Sequence, residues 1–109
     1  MSNLDELGSL VHGIAKTKGF WEQGTAEEFP FFAYKLAMVH SEITEILEAV
    51  RKSKPVEELE EEFADTVIRL VDLYEAMLIA GMVNRPLDDV VQEKIEKNSR
   101  RPKLHGVKG

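Results

Sequence analysis

The sequence predicts an all-α protein, a four-helix bundle with a central antiparallel hairpin. Apolar residues recur at helical spacing in the two central segments, and prolines and glycines fall where helices start and stop. The sequence contains no Val/Ile/Thr-rich alternation of the kind typical of strands. With 109 residues, 43% of them hydrophobic, the chain fits one domain, residues 1–109, whose end from 101 to 109 is expected to be an extended tail.

Capping and helix-breaking residues place the four helices. Asn3 is a candidate N-cap for the first, Pro55 and Pro86 suit the first positions of the third and fourth, and Gly81 closes the third. The expected helices run from 3 to about 18, from between 26 and 30 to about 52, from 55 to about 81, and from 86 to about 99.

Two apolar stripes are expected to form the core. They consist of Leu36, Val39, Ile43, Ile46, Leu47 and Val50 on helix two and of Phe63, Val67, Leu70, Tyr74 and Leu78 on helix three. Helix three also carries Ile68, Val71, Leu73 and Met77, which is more apolar surface than one neighbour covers. We therefore expect oligomerisation, as a homodimer or homotetramer, to complete the bundle.

Charge and composition argue against several classes of partner. A net charge of -6 does not favour nucleic acid or anionic lipid, which attract basic proteins. The absence of cysteine excludes disulfides, thiolate zinc sites and a cysteine nucleophile. The first residues lack the pattern of a signal peptide, and no apolar run is long enough to cross a membrane. A soluble, cytoplasmic protein is expected.

Two pairs of carboxylates are the strongest candidates for a functional site. Glu42 and Glu45 lie three residues apart on helix two, and Glu62 and Asp65 do so on helix three. Either pair alone is typical of a solvated helix face. The pairs are symmetric about the turn at 53–54, however, so a short antiparallel hairpin brings them level on one side. Four carboxylates at one level repel unless a cation lies among them, and Mg²⁺ prefers such oxygen ligands.

Other metal sites fit the sequence less well. A di-iron bundle needs Glu-x-x-His motifs, which these pairs do not contain, and an EF-hand needs an Asp/Asn-rich loop with a central glycine. The C-terminal segment offers a second candidate, because Lys94, Asn98 and Arg101 share a helical face. They are either a frayed basic end or donors for phosphate oxygens.

The pattern as a whole resembles the MazG-like members of the all-α nucleoside triphosphate pyrophosphohydrolase superfamily over roughly residues 12 to 106. The similarity comprises the segment from His40 to Ala49, the segment from Glu61 to Leu73, and the Lys/Asn/Arg-Pro/His-Gly tail. The tail departs from the family after Gly106, where Val107 stands in place of an expected lysine.

The resemblance implies a fold, an activity and a set of site residues. Glu42, Glu45, Glu62 and Asp65 would be ligands of Mg²⁺, with Mn²⁺ as a substitute, and Lys94, Asn98 and Arg101 would bind the triphosphate. The products would be a nucleoside monophosphate and pyrophosphate, in a nucleotide-pool cleaning role. We choose Glu45 as the base that takes a proton from the attacking water.

Three further residues remain open from sequence. Trp21 either stacks on a nucleobase or anchors packing, and Asp72 and Arg69 either contact substrate or form a surface ion pair. His12 and His40 are expected to be ordinary helix residues. The alternative functions are a non-catalytic helical interaction module, in which an acidic face binds a basic partner, and a metal-dependent phosphatase or phosphodiesterase on the same carboxylates.

Overall fold

A computed structural model describes residues 3–21 and 29–102, and these residues form four α-helices and no strand. The helices are α1 (Leu4–Thr17), α2 (Phe29–Arg51), α3 (Val56–Ile79) and α4 (Leu87–Ser99). The all-α fold class is thereby confirmed. No helix in these two ranges is both long enough and apolar enough to cross a membrane.

The helix ends follow the capping chemistry of the sequence. The Asn3 side chain accepts a hydrogen bond of 2.8 Å from the backbone N–H of Glu6, which satisfies one free donor at the start of α1. Pro55 and Pro86 immediately precede α3 and α4, one position earlier than expected. Gly81 has a φ of 80°, a left-handed conformation that glycine adopts without strain, and it ends the α3 segment.

Helix α3 is the centre of the fold, because both α1 and α2 pack on it. One core cluster joins α2 and α3 through Phe32, Val39, Leu73 and Ala76, and Trp21 packs against its edge. Helix α1 comes close to α3 at Gly8, where a Cβ atom would lie 3.0 Å from the carbonyl oxygen of Val71. These contacts agree with a helical bundle of α1, α2 and α3.

Helix α4 is attached mainly through α1 and contains no buried residue. The carboxylate of Asp5 accepts hydrogen bonds from the backbone N–H groups of Leu87 and Asp88, at 2.6 and 3.0 Å, and so caps the start of α4. The Tyr74 hydroxyl donates to the carbonyl oxygen of Arg85 over 2.7 Å. The fourth helix is thus held at its beginning and exposed along the rest of its length.

The core differs from the expected one. Most members of the two predicted stripes lie on the surface, between 42% and 58% exposed, and we call them the outer apolar face: Leu36, Ile43, Leu47 and Val50 on α2 and Phe63, Val67 and Leu70 on α3. Val71 and Leu73, expected to be part of the apolar surface that one neighbour leaves uncovered, are buried instead. The reason is that α3 turns one side to α1 and another to α2, which leaves the most regular stripe uncovered.

Candidate metal centre

The structure brings three of the four predicted metal ligands together. Glu42 on α2 and Glu62 and Asp65 on α3 each offer one carboxylate oxygen, and these oxygens all lie within 4.8 Å of one another. Three ligands of one octahedral Mg²⁺ ion include at least two adjacent pairs, whose oxygens are about 3 Å apart. The three residues, called the carboxylate group below, would therefore have to draw closer together to share one cation.

The charges of this group act most clearly on Glu62, which is half-buried. Its pKa is raised above the ordinary value, first by desolvation of the carboxyl and then by the negative charges of Glu45, Asp65 and Glu42. A cation placed among these oxygens would remove that penalty, because it would favour the charged form of each carboxylate. The electrostatics of the site thus favour a positively charged ligand.

Glu45, the fourth predicted ligand and the nominated base, lies beside the carboxylate group but not within it. Its side chain is exposed, and it lines a cavity of about 290 Å³ together with Glu62 and with charged residues near the α2–α3 turn. Its charge is the largest effect of a neighbouring carboxylate on the pKa of Glu62. Glu45 is near enough to influence the site while remaining open to water.

Arg69 forms an ion pair with a member of the carboxylate group. Its Nε atom donates to Oε2 of Glu42 over 2.7 Å, and the Arg69 and Glu42 side chains are 46% and 17% exposed. The sequence left open an ion pair between Arg69 and Asp72. The structure gives Arg69 a different partner, on the neighbouring helix.

Asp72 instead joins α1 and the segment after it to α3. It accepts a hydrogen bond of 2.6 Å from Nδ1 of His12 and one of 3.1 Å from the indole N–H of Trp21. His12 lies in α1, as expected, and is only 7% exposed. A buried polar side chain needs a partner, and Asp72 supplies it.

An aromatic cavity of about 280 Å³ adjoins this network. Its lining combines rings and charged side chains: Phe20, Trp21, Tyr34, Lys35, Arg69 and Asp72. Arg69 also belongs to the ion pair with Glu42, so the cavity and the carboxylate group share a wall. A second cavity, of about 260 Å³, is lined by residues of α1 and α3, among them Asp65, Arg69 and Asp72.

Lys35 is the second cation of the aromatic cavity. Its ammonium group lies 4.5 Å from the centre of the Trp21 ring and donates to the carbonyl oxygen of Phe20 over 2.7 Å. Burial lowers the pKa of Lys35, the charge of Asp72 opposes this effect, and the charge of Arg69 adds to it. The sequence signal that we overlooked is a single lysine inside the otherwise apolar run from residue 29 to 39.

Trp21 has the contacts of a packing anchor as well as a place in the cavity wall. Its ring lies edge-on to His12 and Phe31, with centroid distances of 5.1 and 5.5 Å. The anchor and the ligand-stacking interpretations are compatible, because one face of a ring can pack while another lines a cavity.

The predicted phosphate-binding residues are on α4 and directly after it, not on the helices that carry the carboxylate group. Lys94 and Asn98 are exposed on α4, and Arg101 follows its end, with its backbone N–H bonded to the Asn98 carbonyl at 3.2 Å. Helix α4 packs chiefly on α1, whereas the carboxylate group is on α2 and α3. The tail residues Lys103, His105, Val107 and Lys108 lie outside the described residues.

Comparisons with known proteins do not extend these observations. No family model, no curated protein and no solved structure matches this chain.

Proposed function

We propose that this protein is a Mg²⁺-dependent nucleoside triphosphate pyrophosphohydrolase that releases pyrophosphate from (deoxy)nucleoside triphosphates. One observation carries the proposal: three carboxylates from two helices converge within 4.8 Å beside a cavity lined by aromatic rings and two cations. Carboxylate oxygens can coordinate Mg²⁺, the two cations can bind phosphate oxygens, and the aromatic rings can stack on a nucleobase. The MazG-like resemblance of the sequence implies the same activity.

We assign metal binding and proton transfer to the four predicted carboxylates. Glu42, Glu62 and Asp65 would hold Mg²⁺, with Mn²⁺ as a substitute, and Glu45 would complete the set directly or through a water molecule. A bound Mg²⁺ would neutralise phosphate charge and polarise the attacked phosphorus. The exposed position of Glu45 supports its role as the base, because the attacking water can reach it from solvent.

The reaction balances as a simple hydrolysis. The oxygen of water bonds to the α-phosphorus, and the bond from that phosphorus to the α–β bridging oxygen breaks. Glu45 takes the proton of the water, and pyrophosphate leaves with the bridging oxygen, so the products are nucleoside monophosphate and pyrophosphate. No electron acceptor or further reactant is required.

We place the nucleoside in the aromatic cavity. Its volume of about 280 Å³ is near the lower end of small-molecule sites, which are roughly 300–1,000 Å³. Trp21 would stack on the base, and Asp72 would act by holding the Trp21 indole through its N–H. Lys94 and Arg101, both exposed and positively charged, and the exposed amide of Asn98 would bind the triphosphate, as the resemblance implies.

The antiparallel α2–α3 hairpin and the oligomer are part of the same proposal. An antiparallel α2–α3 hairpin explains why Glu42 meets Glu62, Asp65 and Arg69 across a turn only four residues long, 52–55. In such a hairpin the two halves of the outer apolar face lie on one side, and a second copy of the chain would cover them. We propose a homodimer or homotetramer acting in the cytoplasm.

Product analysis tests the function directly. The protein is incubated with Mg²⁺ and a panel of ribo- and deoxyribonucleoside triphosphates in ¹⁸O-labelled water, and products are identified by ³¹P NMR and mass spectrometry. We expect pyrophosphate and a monophosphate carrying the label, because attack is at the α-phosphorus. The control is Glu45→Gln, which keeps the shape of the residue but not its basicity.

The other outcomes assign the alternatives. Orthophosphate as the only primary product would support a phosphatase on the same carboxylates. Cleavage of a phosphodiester, with no attack on any triphosphate, would support a phosphodiesterase. Inactivity across the panel, with no binding of Mg²⁺ or Mn²⁺, would leave the helical interaction module as the better account.

A further inference from the structure

Arg69 stands between the carboxylate group and the two cavities. Its Nε atom is 2.7 Å from Oε2 of Glu42, and its side chain lines both the aromatic cavity and the neighbouring cavity that contains Asp65. It is therefore in contact with a candidate metal ligand and with the space in which a ligand would lie. The sequence pattern gave this residue no definite role.

The ion pair with Glu42 competes with a metal ion. A guanidinium on Oε2 shares the negative charge that a divalent cation needs, and the two positive charges repel each other across one carboxylate. The Arg69 side chain is 46% exposed, and an ion pair with such an exposed partner adds little to stability, because water competes for the guanidinium. Arg69 can therefore leave Glu42 at low cost when a cation arrives.

Among the described residues that line the two cavities, the carboxylates are Asp65, which belongs to the carboxylate group, and Asp72. Asp72 lines both of them, but its carboxylate already accepts hydrogen bonds from His12 and Trp21. Lys35 lines the aromatic cavity with Arg69, and the lowered pKa of Lys35, caused first by burial, also reflects the charge of Arg69. Two cations facing one cavity suit an anionic ligand, and the planar fork of arginine suits phosphate.

We infer that Arg69 is the counter-ion of Glu42 in the metal-free protein and becomes a phosphate-binding residue when a divalent cation occupies the carboxylate group. The inference rests on the proposed function, because it takes the metal site as its starting point. It also predicts the order of binding: the cation binds first and releases Arg69 from Glu42, and the released guanidinium then binds the triphosphate. Binding of the metal therefore raises the affinity for the triphosphate.

The test uses Arg69→Met, Arg69→Lys and a matched control, Arg85→Met. Arg85 also forms an ion pair with a glutamate, Glu93, at 2.9 Å and with 50% exposure, but it lies in the segment before α4. Affinity for Mn²⁺ alone is measured by electron paramagnetic resonance. Affinity for the Mn²⁺ complex of inorganic triphosphate, which carries no base, is measured by titration calorimetry, with circular dichroism as the check on folding.

Loss of the Arg69 charge should change the affinity for Mn²⁺ and the affinity for the triphosphate complex in opposite directions. Arg69→Met should bind Mn²⁺ roughly three- to tenfold more tightly, because a competing half-exposed cation is gone. It should bind the triphosphate complex about ten- to a hundredfold more weakly, the effect of losing one charge-assisted hydrogen bond. Arg69→Lys should recover part of both changes, and Arg85→Met should match the wild type.

Weaker Mn²⁺ binding by Arg69→Met would overturn the inference, because Arg69 would then orient Glu42 for the metal. Unchanged triphosphate affinity would overturn it as well and leave Arg69 as a counter-ion only. In both cases the wild type still binds Mn²⁺, so the proposed metal site survives. A wild type that binds no Mn²⁺ would refute that site and this inference together.

Discussion

Replacing Leu47 by Gln should separate the proposed oligomer into folded monomers. Leu47 belongs to the α2 part of the outer apolar face and is 53% exposed in a single chain. Complete burial of a leucine side chain is worth about 1.5–3 kcal/mol, so covering the remaining half contributes roughly 1 kcal/mol. A symmetric interface contains Leu47 twice, which makes the loss about 2 kcal/mol per dimer.

The introduced amide adds to this loss. A glutamine side chain buried without a partner costs about 1 kcal/mol or more in each subunit, which brings the total to roughly 4 kcal/mol. At about 1.4 kcal/mol for each factor of ten, the dissociation constant should rise by about two to three orders of magnitude. Glutamine favours helix and adds no charge near the carboxylate group, so the single chain should fold as before.

Sedimentation velocity over a micromolar concentration series measures this change. Leu10→Gln is the matched control, because Leu10 is an equally exposed leucine, at 51%, on α1 and outside the outer apolar face. We expect wild type and Leu10→Gln to remain associated while Leu47→Gln dissociates. A monomeric wild type, or equal dissociation of both variants, would refute the assignment of this face to a second copy.

Three further predictions concern the site. Glu62→Gln should reduce turnover at least about a hundredfold and raise the metal-free melting temperature at neutral pH. The raised pKa of Glu62, caused first by desolvation and then by neighbouring carboxylates, means that its ionisation opposes folding. Wild-type Glu62 is protonated at low pH and loses the proton as the pH rises through that pKa. The melting temperatures of Glu62→Gln and the wild type should therefore become equal on acidification. A difference that does not depend on pH would contradict this account. Arg101→Ala should lower kcat/KM for a triphosphate about ten- to a hundredfold while leaving Mn²⁺ affinity unchanged, and wild-type kinetics would make Arg101 part of a solvated basic end. Asp72→Asn should lower the free energy of unfolding by about 1.5–3 kcal/mol and shift the emission of Trp21, the only tryptophan, to longer wavelength, whereas an unshifted spectrum would show that Asp72 does not hold the indole.

Local features of the sequence were sufficient for the helices and for most of the carboxylate group. The Asn3 cap, the prolines before α3 and α4 and the glycine after α3 act over a few residues, so their effect can be predicted without knowing the rest of the chain. The symmetric spacing of the acidic pairs about a short turn predicted that they would meet. Three of the four residues do so.

Contacts between distant segments could not be predicted in this way. His12 and Asp72 are 60 residues apart, and Arg69 and Glu42 are 27 apart on separate helices. Each pair forms only because α1 and α2 have a particular rotation about their own axes and a particular position along α3. No local spacing in the sequence sets those rotations.

The sequence by itself therefore determined that the chain is helical, approximately where its helices begin and end, and that acidic residues of α2 and α3 come together, three of the four that were predicted. Only the tertiary structure decided which apolar residues form the core, since Val71 and Leu73 are buried while Phe63 and Val67 are exposed. A helix with apolar residues on several sides has more than one face that it could bury. The choice depends on the close approach of α1 at Gly8 and on the packing of α2, which are properties of the assembled helices and not of any one of them.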